Sequence, residues 1–192
     1  TTGVPKGAMI THDNMTFTCQ SVQQCADCGP GDVELLFVPL AHVFARITVL
    51  TAIVSGTRTA FARSIDTLVE DLKVARPHWF TSVPRVYEKV YNKVVSGAEA
   101  KGGLALKIFR WAVRTGNDVS DCLLAKRPVP AGLKLRYGIA TKLVFSKIHA
   151  ALGGRVRWCI SGAAPLNPAI GKFFHASGVL ILEGIGMTEN TS

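Results

Sequence analysis

The sequence predicts an α/β protein with a mainly parallel sheet, crossover helices and a helical insertion at about 101–151. Three observations carry this. Short segments rich in β-branched and aromatic residues recur, with turn residues at most of their ends. Stretches of helical periodicity fall between them, and strand–helix–strand succession means right-handed crossovers and parallel pairing. The rhythm then stops between Leu104 and Ala151, where only helical spacing is found.

In chain order, residues 12–26 follow a glycine-rich opening as a helix. Residues 33–38 (VELLFV) form a short buried strand after the turn Gly29-Pro30-Gly31, and 41–54 form a helix. A strand at 57–61 leads to a helix at 65–75. There Ile65, Leu68, Val69, Leu72 and Ala75 share a face, and Ser64 is the expected N-cap. Residues 78–82 (HWFTS) are the third strand. Pro84 suits the first turn of the next helix, which the spacing of Val86, Val90 and Val94 carries to about 95. Helices at about 104–124 and 132–151 flank Lys126-Arg127-Pro128-Val129-Pro130. Strands at 156–160 and 179–183 complete the series.

The chain has 192 residues, 48% of them apolar and 18% charged, which excludes disorder as the main state. No uninterrupted apolar run approaches the ~18 residues of a membrane span. No signal peptide opens the chain and its first residue is Thr1, so the expectation is a sequence that begins inside something longer. The net charge of +9 is local: residues 101–147 hold ten basic and two acidic side chains, a net +8. That segment reads either as a solvated basic face or as a surface for an acidic partner. Nothing in it matches a nucleic-acid-reading motif, so no nucleic-acid partner is expected. The five cysteines are an odd number, which argues for reduced thiols. The lone Cys25–Cys28 pair lacks the second pair a zinc site would want.

Four stretches could carry chemistry. Thr1-Thr2-Gly3-Val4-Pro5-Lys6-Gly7 packs two hydroxyls, two glycines and a lysine into one loop. Glycine lets backbone amides approach an oxyanion, hydroxyls donate, and lysine adds a mobile charge. Pro39-Leu40-Ala41-His42-Val43-Phe44 stands where a strand ends and a helix begins, which is where open α/β sheets collect ligands. Ser161-Gly162-Ala163-Ala164-Pro165-Leu166 also follows a strand, and its small residues leave room for a flat group. Glu183-Gly184-Ile185-Gly186-Met187-Thr188-Glu189-Asn190 stands at the end of the last strand, and a carboxylate beside a hydroxyl suits Mg²⁺. Each has a plain alternative: an exposed turn, a surface histidine, a ligand-free loop, a solvated glutamate.

Taken together, in this order and spacing, the four stretches resemble the adenylate-forming superfamily of acyl-CoA synthetases, luciferases and peptide-synthetase adenylation domains. The opening is similar to the second half of that superfamily's phosphate loop (Ser/Thr-Ser-Gly-Ser/Thr-Thr-Gly-x-Pro-Lys-Gly). Residues 183–189 are similar to its Tyr-Gly-x-Thr-Glu motif. Pro39 to Phe44, Val83-Pro84-Arg85-Val86-Tyr87-Glu88-Lys89-Val90 and the helical insertion look most like the long-chain fatty-acid–CoA ligases. The fold this implies is part of an adenylate-forming N-terminal domain, with a phosphate loop at 1–7 and an adenine and Mg²⁺ region at 161–189.

The resemblance implies roles residue by residue. Thr1, Thr2, Gly3, Lys6 and Gly7 would hold the ATP phosphates. Gly162, Ala163, Ala164 and Pro165 would line the adenine pocket, continued by Glu183, Gly184, Ile185, Gly186 and Met187. Ile185 replaces an aromatic residue usual in the family, so adenine packing there would be dispersive. Thr188 would contact phosphate, Glu189 would bind Mg²⁺, and His42 would stand near the acyl carboxylate. The implied reaction joins a long-chain fatty acid to coenzyme A through acyl-AMP. The parts that complete such an enzyme lie beyond this chain, so the 192 residues alone are expected to be inactive. The implied setting is cytoplasmic, and 101–147 is the segment that would meet an anionic membrane. Rival readings are a ligase for aryl, amino or shorter acids, transfer to a carrier-protein thiol, and a non-catalytic nucleotide- or lipid-binding module.

Overall fold

The computed structural model describes residues 7–191. Five strands, β1 (Val33–Leu36), β2 (Arg58–Phe61), β3 (Trp79–Ser82), β4 (Trp158–Ser161) and β5 (Leu180–Glu183), form one sheet in the order β2-β1-β3-β4-β5. Every pairing among them is parallel. All five predicted strands are present with bounds within one or two residues of those expected; four are shortened, and β4 starts two residues late and runs one residue further, to Ser161. The helices are α1 (His12–Cys25), α2 (Val43–Ser55), α3 (Leu68–Ala75), α4 (Pro84–Lys101), α5 (Gly103–Leu124), α6 (Ala131–Ala140), α7 (Ser146–Ala151) and α8 (Pro168–Ala176).

Side chains alternate across the sheet, so each face has its own packing. Leu35, Phe80 and Cys159 point to one face and meet Leu72, Val86, Tyr87, Ile148 and Phe174 in the main core. On the other face Trp79 and Trp158, neighbours in register, stack with centroids 4.9 Å apart. Glu34 lies in that same row, fully buried between Thr59 and Trp79. Thr59 Oγ1 donates to Glu34 Oε1 at 2.6 Å, while Oε2 has no partner among the described residues. Burial pushes the carboxyl up from 4.5 to about 7, only partly offset by the threonine bond.

The amino edge of the sheet is tied by Arg157, whose guanidinium donates to both Asp32 oxygens at 3.0 and 2.7 Å and to the Asp27 carbonyl at 2.7 Å. Those bonds hold the Asp32 carboxyl below the ordinary carboxylate range, against the opposing effect of burial. Cys25 and Cys28 sit beside this clamp, and all five cysteines are free thiols.

Four helical details differ from the sequence expectation. The 65–75 helix begins at Leu68, with Thr67 in the N-cap position but making no side-chain capping bond, while Ser64 Oγ accepts from the Thr67 amide at 3.2 Å, one turn early. Asp71 accepts from Thr67 Oγ1, the Arg63 amide and Arg63 Nε, a network that takes the place of an earlier turn. α4 runs on to Lys101, past its last apolar i+4 residue, and stops at Gly102 and Gly103, both with positive φ. The 132–151 helix is interrupted by a π-helical turn, Thr141–Phe145. Ala140 and Phe145 are both fully buried, and five residues of α-helix would point them about 140° apart; the wider turn restores one face. α8 was not expected at all. Asn167 caps it by accepting from the Ala169 amide, Pro168 opens it, and Ile170, Phe173 and Phe174 bury its inner face.

Candidate active site at the carboxyl edge of the sheet

Because every strand runs the same way, the segments after β1, β3, β4 and β5 all leave from one edge. The chain steps from β1 outward to β2, then returns to place β3 on the other side of β1. The crevice at that reversal is where parallel sheets bind ligands. His42 stands there as the N-cap of α2, its amide donating to the Pro39 carbonyl at 2.9 Å. The imidazole makes no capping bond and is exposed. Arg46 Nε donates to the Leu40 carbonyl at 2.7 Å and fixes the approach to the helix.

β4 turns out through Gly162, whose amide donates to the Ser82 carbonyl of β3 at 3.0 Å. A Cβ at Gly162 would sit 3.6 Å from the Phe44 ring and 3.8 Å from the Gly184 carbonyl oxygen. The second, third and fourth motifs therefore meet at one backbone position without a side chain. Ala163, next in line, has φ +71, a conformation that costs a non-glycine residue about 1 kcal/mol. Such strain gathers at ligand-binding turns. Below the loop, Ser161 Oγ is buried with no hydrogen-bond partner among the described residues.

Glu183 does not reach freely into this space. Its Oε1 accepts from the Leu166 amide at 2.8 Å, so it anchors the Gly162–Leu166 loop. Gly184 continues the ladder by donating to the Ser161 carbonyl at 2.9 Å. Ile185 is 99% exposed, and Gly186 and Met187 are exposed beside it. Thr188 and Glu189 lie on a short 3₁₀ turn, Thr188–Asn190, shaped by Asn190 Oδ1 accepting from the Met187 amide at 2.9 Å. Of the expected phosphate loop, Thr1, Thr2, Gly3 and Lys6 lie outside the described residues; Gly7 is exposed.

No group of three or more His, Cys, Asp or Glu among the described residues could enclose a metal. One exposed carboxylate beside a hydroxyl suits Mg²⁺, a cation that keeps its waters and leans on substrate phosphates. The side-chain-free position at Gly162 and the small residues after it suit a flat heterocycle. Phe44, Leu166 and Asn190 stand inside the quoted motifs, but motif reading assigns them no role. Only the fold shows that Phe44 meets Gly162, that Leu166 is held by Glu183 and that Asn190 shapes the turn after Met187.

The fold and this edge define a parallel α/β protein built to take a ligand beyond its strand ends. A family model described as AMP-binding enzyme matches residues 1–192, and the chain belongs to that family. It is 34% identical over 193 residues to long chain acyl-CoA synthetase 7, peroxisomal, of Arabidopsis thaliana, covering 100% of this chain and 26% of that protein. It is 37% identical over 195 residues to the long-chain-fatty-acid–CoA ligase FadD15 of Mycobacterium bovis, covering 100% of this chain and 32% of that one. The chain thus spans about a quarter to a third of the length of these relatives. Among solved structures it resembles the A domain of carboxylic acid reductase from Segniliparus rugosus in complex with AMP and a co-purified carboxylic acid. That match has a TM-score of 0.63 and 26% identity, over 97% of this chain and 26% of that one.

Proposed function

We propose that these residues form the adenylate-handling part of a long-chain fatty-acid–CoA ligase. The meeting of Phe44, Gly162 and Gly184 at the carboxyl edge carries the reading, and the relatives' names supply the acid and the thiol. In the first step the carboxylate attacks the α-phosphorus of ATP, forming acyl-AMP and releasing pyrophosphate. In the second, the coenzyme A thiolate attacks the acyl carbonyl and AMP leaves. Lys6 and the Thr1–Gly3 amides and hydroxyls would neutralise the leaving phosphates, and Thr188 would position them. Glu189 would hold Mg²⁺, which supplies charge neutralisation when bound. Gly162 to Pro165 and Gly184 to Met187 would hold adenine. His42, at the amino end of α2, would orient the carboxylate where the helix dipole favours an anion. Such chemistry rests on positioning and charge, and no side chain needs to become a covalent nucleophile.

Pyrophosphate release by the full-length protein tests this. Lys6→Ala and Glu189→Gln are each expected to lower ATP-dependent turnover roughly ten- to a hundredfold, the worth of one charge-assisted hydrogen bond. Wild-type release from Glu189→Gln would remove that carboxylate from the metal site. The 192 residues alone, given ATP, Mg²⁺, palmitate and coenzyme A, are expected to yield no acyl-CoA.

A membrane surface is the further partner we propose. On α5 the residues Lys107, Arg110 and Arg114 form an exposed basic stripe with Leu104 exposed near its start, while Phe109, Trp111 and Val113 are partly buried against the core. A second and denser apolar surface lies along α6 and the π turn, where Leu135, Ile139 and Leu143 are exposed among Lys134, Arg136 and Lys142. No helix among the described residues is long and apolar enough to cross a membrane. Peripheral adsorption is the mode that fits, at about 1 kcal/mol per basic residue near an anionic surface. The full-length protein is expected to sediment with anionic but not zwitterionic vesicles, and to lose this when Lys134, Arg136 and Lys142 become Glu. Equal partitioning of wild type and variant at low salt would overturn it.

A further inference from the structure

A cleft of about 430 Å³ opens between α4, α5 and the π turn with α7. Its walls are apolar: Val94, Ile108, Phe109, Leu143 and Ile148. Gly97 and Ala98 on α4 keep one side of its mouth open: Gly97 is exposed, and a Cβ built there would meet nothing within 4 Å. A glycine inside an exposed helix costs about 1 kcal/mol against alanine, yet here it leaves space empty. Lys93, Lys101 and Lys147 stand in the lining, which includes no acidic side chain. None of the three joins an ion pair among the described residues.

Apolar walls under an unopposed cationic rim complement one kind of ligand, an alkyl chain with an anionic head. Lys93 and Lys101 are eight residues apart on one helix, a rise of roughly 12 Å, which suits one chain better than a bilayer leaflet or a folded partner. The volume falls within the range of ordinary ligand pockets. Gly97 lies thirteen residues along α4 from Pro84, roughly 20 Å from the carboxyl edge of the sheet. We propose that this cleft is a second binding site, separate from the adenylate site, for a single long-chain fatty carboxylate.

The test uses full-length protein and cis-parinarate, a fluorescent long-chain carboxylate, with the adenylate site saturated by a non-hydrolysable acyl-sulfamoyl adenosine. One further equivalent of parinarate is expected to bind. Gly97→Leu, which puts a bulky side chain in the mouth of the cleft, should weaken it at least tenfold while holding or raising the unfolding midpoint. The triple change of Lys93, Lys101 and Lys147 to Glu should weaken it comparably. The methyl ester should bind more weakly than the acid to wild type. No further equivalent, or binding untouched by both variants, would overturn the second site; methyl ester binding as tightly as the acid would overturn its anionic selectivity. Should the adenosine analogue fail to bind while parinarate binding still responds to Gly97→Leu, the adenylate reading falls and the cleft stands.

Discussion

Glu34→Gln is expected to flatten the pH dependence of stability. The folded carboxyl titrates at about 7 against an ordinary 4.5. Below pH 4.5 it is protonated in both folded and unfolded chains and has no pH-dependent effect. Between these values the folded chain holds a proton the unfolded chain has lost, so stability falls as pH rises. Above the folded value the full penalty is present, about 3 kcal/mol from the displaced titration. Glutamine stays neutral and keeps an oxygen for the Thr59 hydroxyl. Urea unfolding of wild type and variant from pH 4 to pH 8.5 reads the difference. The gap should be smallest at the acid end and should widen by about 3 kcal/mol in the variant's favour by pH 8.5. Parallel curves would mean the carboxylate finds a partner when ionised, and its burial would then carry no penalty.

Gly116→Val is expected to shift stability by a comparable amount in the opposite direction. Ala112, Gly116 and Ser120 are buried at successive i+4 positions of α5, against α8. A Cβ at Gly116 would sit 2.5 Å from the Ala176 carbonyl oxygen and 2.9 Å from the Phe145 ring. The first obstacle is backbone and cannot rotate away. The same contact carries the Ser120–His175 bond at 2.7 Å and the Lys172–Asp121 ion pair at 2.8 Å, both lost if the helices part. Overpacking of this kind costs ~1–3 kcal/mol, and loss of the accompanying bonds puts valine at or above the upper figure. Alanine is expected to destabilise less, since it recovers about 1 kcal/mol of helix propensity. Denaturant midpoints across the Gly, Ala and Val series check the order; a variant as stable as wild type would show that α5 can ride over α8 without loss.

The strands were legible because a buried parallel strand carries its signal locally, as in VELLFV or HWFTS. What was illegible depends on distant partners. The late start of α3 follows from the Arg63–Asp71 pairing, and the π turn from the need to bury Ala140 and Phe145 together. α8 was readable in principle from Asn167-Pro168 and the Ile170, Phe173, Phe174 spacing. At the site, glycine-rich loops after strands could be found one by one. That Phe44 closes on Gly162, that Glu183 anchors Leu166, and that Trp111 faces inward are consequences of the sheet order.

The helical insertion also sets an assembly problem. Ser82 and Ser161 are side-by-side partners, yet the whole of α4 to α7 separates their strands in the chain. The entropy of closing so long a loop grows only slowly with its length, by roughly 0.6 kcal/mol per doubling, but it falls due before any β3–β4 hydrogen bond rewards it. Helices form on the sub-microsecond scale, so α4 to α7 can collapse locally and shorten the effective loop before the strands meet. Trp79 and Trp158 stack only once that closure is complete. Their paired indoles make the joining of β3 to β4 visible to the protein's own fluorescence.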